Sequence, residues 1–265
     1  MTTSELDRYA KSLIKEAGRR IRHSLGSDLT IETKADANDL VTNIDKETER
    51  FFVERIRRDF PGHRLLGEEG FGDLIEGLEG TVWILDPIDG TMNFVHQQRN
   101  FAISLGIFEE GTGILGYIYD VVNDELYSAK KGEGAYLNDE RLADLSETAV
   151  PESIVGVNST WLMPNPYLDH EAIIRLVRDI RGARSYGSAA LEIAHVASGR
   201  LDAYMSLRLS PWDIAGGFII AHETGAIASN FRGEPANLLE QDSFLIANPS
   251  IHQTLLDRYI KMKAQ

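Results

Sequence analysis

Apolar residues recur along this chain at two periods, and the change from one to the other marks out its elements. Leu6, Ala10, Leu13, Ile14, Ala17 and Ile21 fall three, four and seven apart, which predicts an amphipathic first helix capped at Ser4. A polar loop follows. The segment Asp39-Leu40-Val41-Thr42 then leads into a second helix, with Phe52, Ile56 and Phe60 four apart and Pro61-Gly62 as its stop. His63 to Leu66 reads as a strand that ends in the acidic turn Gly67-Glu68-Glu69-Gly70. Trp83-Ile84-Leu85 is an apolar strand running straight into Asp86-Pro87-Ile88-Asp89-Gly90-Thr91. Beyond it, Phe101 to Phe108, Gly113 to Val122 and Glu125 to Ala129 are β-branched or aromatic runs separated by Gly, Asn and Asp, and they read as consecutive antiparallel strands. Gly132-Glu133-Gly134 and Asn138-Asp139 continue the turn-rich pattern.

In the second half, strand and helix alternate. Ser153 to Val157, Ala183 to Tyr186, Leu201 to Met205 and Ser243 to Ile246 read as strands, and His170 to Arg178, Ser188 to Ala197, Pro211 to Glu223 and Ile251 to Met262 as helices. The expectation is an α+β layered sandwich. Residues 1–265 are expected to fold as one domain, with subdomains of about 1–150 (antiparallel sheet with helices) and 151–265 (α/β).

With 265 residues and 43% apolar content, the chain can bury a sizeable core. Its formal charge of −14 argues against a nucleic-acid or anionic membrane surface, which rewards Lys and Arg patches. There are no cysteines, so disulfides, thiolate catalysis and Cys-held zinc are excluded. Charges interrupt the first residues, and every apolar run is strand-sized, so the expectation is a soluble cytoplasmic protein.

The chemistry gathers where the apolar strand meets Asp86 and Asp89. An acid at the carboxyl end of a buried strand sits where open α/β sheets collect ligands, and clustered carboxylates suit Mg²⁺ with phosphate oxygens. Asp, Pro and Gly are equally the residues of an ordinary turn. A third reading is an aspartyl-phosphate nucleophile, whose signature DxDGT differs from the DxxDGT found here; the longer spacing favours shared metal ligation. Asp45 lies three residues after Thr42, as in a helix capping box, and Asp213 follows Ser210-Pro211-Trp212 as an N3 acid. Glu68 and Glu69 alone suit a solvated turn. The recurrence of acids beside Gly, Pro, Trp or Thr at separate element ends points to loops converging on one cluster.

As a set, these segments resemble the inositol monophosphatase family, within the Mg²⁺-dependent, lithium-sensitive phosphatases that include fructose-1,6-bisphosphatase. The likeness runs from Lys34 through Asp39 to Asp45, Gly67 to Glu69, Trp83 to His96, Gly187 to Leu191 and Trp212 to Gly217, with the DPIDGTxNF and WDxAxG blocks in family order. It implies an αβαβα sandwich and two to three Mg²⁺ per site. Glu68, Asp86 and the Ile88 carbonyl would hold a first ion, Asp86, Asp89 and Asp213 a second, and Glu68 a weaker third. The resemblance further implies that Thr91 and Asp45, with Glu68, activate a water. Asp89, Gly90, Thr91, Ala189 and Asp213 would face substrate, Lys34 would lie near the metals, and the protein would be a homodimer. The implied reaction is direct in-line hydrolysis of a small phosphate ester.

One position departs from the pattern. Inositol-specific members carry a glutamate seven residues before the metal-binding Asp of the WD motif, and here that position is Ser206. Arg208, two residues on, reads either as a solvated surface arginine or as a guanidinium for a second phosphate. Inositol monophosphate is thus the first substrate, with NADP 2′-phosphate and fructose 1,6-bisphosphate as rivals, and a non-catalytic phosphate or sugar binder as the reading from another class. The histidines form no HExxH or HxxxH pattern, which argues against zinc hydrolysis.

Overall fold

The computed structural model describes residues 2–26, 29–33 and 40–263. Helix α1 spans Thr3–Ser24 and is capped by Thr2 rather than Ser4. The reason is reciprocal bonding: Glu5 Oε2 accepts the Thr2 N–H at 2.8 Å while Thr2 Oγ accepts the Glu5 N–H, so the helix opens earlier than predicted. The predicted polar loop contains a hairpin of β1 (Ile31–Thr33) and β2 (Leu40–Thr42), which feeds α2 (Asn43–Asp59). Lys34 and Asp39 lie outside the described residues.

Strands β3 (Arg64–Gly67), β4 (Thr81–Asp89), β5 (Ala102–Glu109), β6 (Thr112–Asp120), β7 (Glu125–Lys130), β8 (Gly134–Leu137) and β9 (Glu140–Arg141) form one sheet in sequence order, with α3 (Thr91–Gln97) between β4 and β5. Only β3 and β4 run parallel in it; the remaining neighbours are antiparallel. A second sheet is built from β10 (Ile154–Val157), β11 (Gly182–Arg184), β12 (Ala203–Leu209), β13 (Ile227–Ser229) and β14 (Asp242–Ala247), in the order β11-β10-β12-β14-β13. Its helices are α4 (His170–Asp179), α5 (Ala189–Ala197), α6 (Pro211–His222) and α7 (Pro249–Arg258). The last helix starts at the Asn248 cap and stops before Met262, which instead forms an isolated bridge to Leu168.

Alternation along the strands builds the layers. Trp83, Leu85, Leu105 and Tyr117 pack with Ile14 and Phe52 of α1 and α2. Val82, Ile84, Phe108 and Ile118 face the other way, onto Ile193, Ile214 and Ile220 of α5 and α6, whose far side meets Tyr204 and Ile246 of the second sheet. Val155, Met205 and Leu245 then pack on α4 and α7 through Ile173, Leu176 and Leu255. The order is helices, sheet, helices, sheet, helices: the αβαβα sandwich. Helix α6 approaches the first sheet very closely, because a side chain on Gly216 would strike the Tyr117 carbonyl and one on Gly116 the Gly216 carbonyl. This contact fixes where the N-terminus of α6 lies.

Candidate metal and phosphate site

Strand β4 delivers two acids to one place by breaking its own register. The pairing with β5 shifts between Asp86 and Asp89, a bulge that lets both carboxylates serve one site where a regular strand would turn them apart. Asp86 Oδ1 accepts the Ile88 N–H at 2.9 Å, which tightens the turn. Gly90 follows with φ of 95°, a conformation costly for any residue with a Cβ, and α3 opens directly after it. Asp213 arrives from the first turn of α6, where its Oδ2 accepts the Ser210 N–H at 2.7 Å. Asp86, Asp89 and Asp213 each place one oxygen within 4.8 Å of the others.

Burial gives this triad its electrostatic character. Asp86 and Asp89 are 2% and 7% exposed. Burial, reinforced by the charges of Glu68, Asp89 and Asp213, holds the Asp86 carboxyl well above the usual carboxylate range. Burial pushes Asp89 up to about 6, against the opposing hydrogen bonds from Ser188 and Ala190. Glu68 completes the group: its backbone N–H donates to the Leu85 carbonyl at 3.3 Å, and its carboxyl hydrogen-bonds with Asp86. Buried acids that oppose one another's ionisation, with the Ile88 carbonyl beside them, form the oxygen-only donor set that a hard divalent cation needs.

Asp45 serves two purposes with its two oxygens. Oδ2 accepts the Thr42 N–H at 2.9 Å and the Thr42 hydroxyl, closing a capping box. Oδ1 accepts the Thr91 hydroxyl at 3.1 Å. The capping box and the hydrogen bond to Thr91 therefore coexist in one fully buried side chain, whose carboxyl burial pushes upward. Thr91 Oγ also lies 3.1 Å from the Ile88 carbonyl; it has one proton to give, and lone pairs left to accept another.

Several residues that the sequence reasoning missed hold these groups in place. Glu49, one helical turn beyond Asp45 on α2, is fully buried and accepts the Glu69 and Phe71 N–H groups at 2.6 and 2.7 Å, so it braces the turn carrying Glu68. The spacing from Asp45 was the available signal. Ser188 donates its hydroxyl to Asp89 Oδ2, which also accepts the Ala190 N–H at 2.8 Å. The Ala189 amide, expected to face substrate, lies against the same carboxylate. Asn93 Nδ2 donates to the Asn100 and Tyr186 carbonyls at 2.8 and 2.7 Å, tying α3 to the loop before α5. Glu192 accepts the Tyr186 N–H at 2.9 Å, and burial pushes it up to about 7. Ser206 is buried on β12, its hydroxyl donating to the Arg208 carbonyl at 3.4 Å, whereas the Arg208 side chain is exposed.

Comparison with known proteins agrees with this geometry. The family model described as "Inositol monophosphatase family" matches residues 2–263. The chain belongs to the inositol monophosphatase family. It is 58% identical to the inositol-1-monophosphatase of Bacillus subtilis, over 97% of each chain. The solved structure of 2′AMP-bound SaIMPase-II, a staphylococcal protein, superposes with a TM-score of 0.89 at 46% identity, covering 97% of this chain and 94% of that one. An IMPase/NADP phosphatase complexed with Mg²⁺ and phosphate gives 0.88 at 31% identity, over 96% of this chain and 94% of the other. The chain is thus an inositol monophosphatase-like phosphatase. Among the described residues no helix is long and apolar enough to cross a membrane.

Proposed function

We propose that the chain hydrolyses inositol monophosphate, or a small ester of the same kind, by direct in-line attack of water on phosphorus. Glu68, Asp86 and the Ile88 carbonyl would hold one Mg²⁺, Asp86, Asp89 and Asp213 a second, and Glu68 a weaker third. When bound, these ions neutralise the phosphate and the departing alkoxide and acidify water. The observation that carries this reading is the Thr91 hydroxyl, aimed at Asp45 beside three converging carboxylates. With its proton committed to Asp45, Thr91 Oγ is left to accept from water and so orients the nucleophile. The amides of Gly90 and Thr91, at the opening of α3, face the phosphate. As water oxygen bonds to phosphorus the ester P–O bond breaks, giving inorganic phosphate and the alcohol, with no phosphoenzyme.

The substrate reading starts from the Bacillus relative and is widened by Ser206, which is too short for the role of the family glutamate; NADP 2′-phosphate and fructose 1,6-bisphosphate are the alternatives. We further propose that residues 1–265 act as one catalytic unit and that, as in the family, two copies associate, which light scattering of the purified chain measures. The deciding experiment is phosphate release from inositol 1-phosphate with Mg²⁺, inhibited by Li⁺. Asp86→Asn should leave less than about a tenth of the activity, a loss above roughly 1.4 kcal/mol of barrier. Greater retention overturns the shared-ligand role of Asp86. Phosphate-ester binding without release across sugar and nucleotide phosphates would instead favour a non-catalytic binder.

A further inference from the structure

Asp89 belongs to the first half of the chain, yet the groups that orient it come from the second. Its Oδ2 accepts both the Ser188 hydroxyl and the Ala190 N–H, from residues 99 and 101 positions further on. Two donors on one oxygen give the carboxylate a settled direction. The same segment lies against Gly90 at the opening of α3, where a side chain would come within 3.2 Å of the Gly187 carbonyl and of Ser188 Cβ. Residues 186–190 therefore touch both an acid of the carboxylate cluster and the turn that opens α3.

That segment is fastened by Glu192, one turn past the Ser188 cap of α5. Its Oε1 alone accepts the Tyr186 and Gly187 N–H groups, at 2.9 and 3.4 Å. Oε2 makes no hydrogen bond among the described residues and is wedged against β10: a Cβ on Gly156 would stand 2.3 Å from it and 3.1 Å from the Tyr204 ring. A first-turn acid that served only the helix dipole could sit in solvent. Glu192 is 4% exposed and turned back onto the loop. Packing on Oε2 sets where Oε1 stands, and Oε1 sets how the chain enters α5.

We propose that Glu192, seated on Gly156, is a positioning residue for Asp89. It holds residues 186–190 so that Ser188 and Ala190 keep the carboxylate aimed at the cation. The proposal rests on the metal-dependent reading above, in which Asp89 is a ligand.

The Ala190 amide tests this without metal. It lies in the first turn of α5, where N–H groups have no partner within the helix, so its protection from hydrogen exchange reports the bond to Asp89. In the metal-free 265-residue chain, Glu192→Ala should speed Ala190 exchange, read by NMR, about tenfold or more. By calorimetric titration the same variant should bind Mg²⁺ about ten- to a hundredfold more weakly, the usual effect of removing a partner that orients a ligand. Glu192→Gln keeps one oxygen for both amides and should hold each quantity within about threefold of wild type. Gly156→Ala, which pushes the intact glutamate off its seat, should reproduce both effects and add little in the Glu192→Ala background. Leu176→Ala, a cut in the core under α4, should lower Tm yet move neither quantity, which separates positioning from general loss of stability.

Ala190 protection and Mg²⁺ affinity unchanged in both Glu192→Ala and Gly156→Ala would overturn the role. Protection lost in these variants, with Mg²⁺ binding untouched by Asp89→Ala, would leave Asp89 positioned but no ligand, and the metal reading would fail. Protection retained, with Mg²⁺ binding lost in Asp89→Ala, would sink the positioning role and leave the metal reading in place.

Discussion

Asp45 and Glu49 sit four apart on one face of α2, and each fastens a different part of the site. Asp45 meets Thr91, while Glu49 holds the turn that presents Glu68. A carboxylate accepts from two amides at once; a carboxamide accepts through one oxygen and turns its NH₂ toward the other donor. Glu49→Gln should therefore lower stability by roughly 1–3 kcal/mol and raise the Mg²⁺ concentration for half-maximal activity several-fold. Activity at saturating Mg²⁺ should stay within about threefold of wild type. Thermal melts and Mg²⁺ titrations check this, and an unchanged Mg²⁺ requirement would reduce the brace to a purely structural one. Asp45 was legible in the sequence as a capping-box acid three residues after Thr42, and its place near the site came from the family resemblance; its bond to Thr91, 46 residues on, is a product of the fold. Glu49 was legible only as a neighbour of Asp45 on the same helix face; its task was not, since its partners lie 20 and 22 residues away in a loop that only tertiary packing brings under the helix.

Among the elements, legibility followed length and period. The long strands β4 to β7 and the amphipathic helices announced themselves, whereas β1, β9 and β13 have two or three residues, too few for alternation to show. Asp213 was legible as an N3 acid. Its placement depends on a glycine contact between α6 and the first sheet, which no local pattern encodes. Helix α5 depends on a comparable tertiary device. Glu192 Oε1 accepts the Tyr186 and Gly187 N–H groups at 2.9 and 3.4 Å, fastening the loop that presents Ser188, while Oε2 is buried and without a hydrogen-bond partner among the described residues. Its carboxyl, pushed by burial from 4.5 to about 7, holds its proton more firmly in the folded chain than in the unfolded one. The folded state therefore binds more protons between those pH values, and this contribution to stability is present below about pH 4.5 and lost as pH rises through 7. The full loss is on the order of 3 kcal/mol. Denaturant unfolding of wild type and Glu192→Gln at pH 5 and pH 8 isolates it: the difference between the two proteins should shift by about 2 kcal/mol in favour of the variant at the higher pH. A difference independent of pH would show that Glu192 does not titrate in this range.

At the scale of the whole molecule, the carboxylate cluster is where the two sheets' contributions meet. Asp86 and Asp89 end a strand of the first sheet, Asp213 opens a helix that leaves the second, and Ser188 and Ala190 reach across to Asp89. In a chain already carrying −14, bringing buried acids together works against folding until a cation offsets them. A divalent ion that binds only the folded chain stabilises it by about 2.7 kcal/mol at a hundred times its Kd. For a protein of this size that corresponds to a rise in Tm of roughly 5–10 °C over the EDTA-treated protein. Two variants separate holding the ion from using it. Asp213→Asn removes the contribution of α6 and should cut the Mg²⁺-induced rise in Tm to less than half, with phosphate release lost as well. Thr91→Ala leaves every carboxylate in place, so the rise should persist in full while kcat falls by about 10²- to 10⁴-fold, the usual contribution of a positioned proton-transfer group. Calorimetry with and without Mg²⁺, paired with phosphate release, reads both. An undiminished Tm response in Asp213→Asn would remove this residue from the ion site, and a Tm response lost in Thr91→Ala would make the threonine part of it.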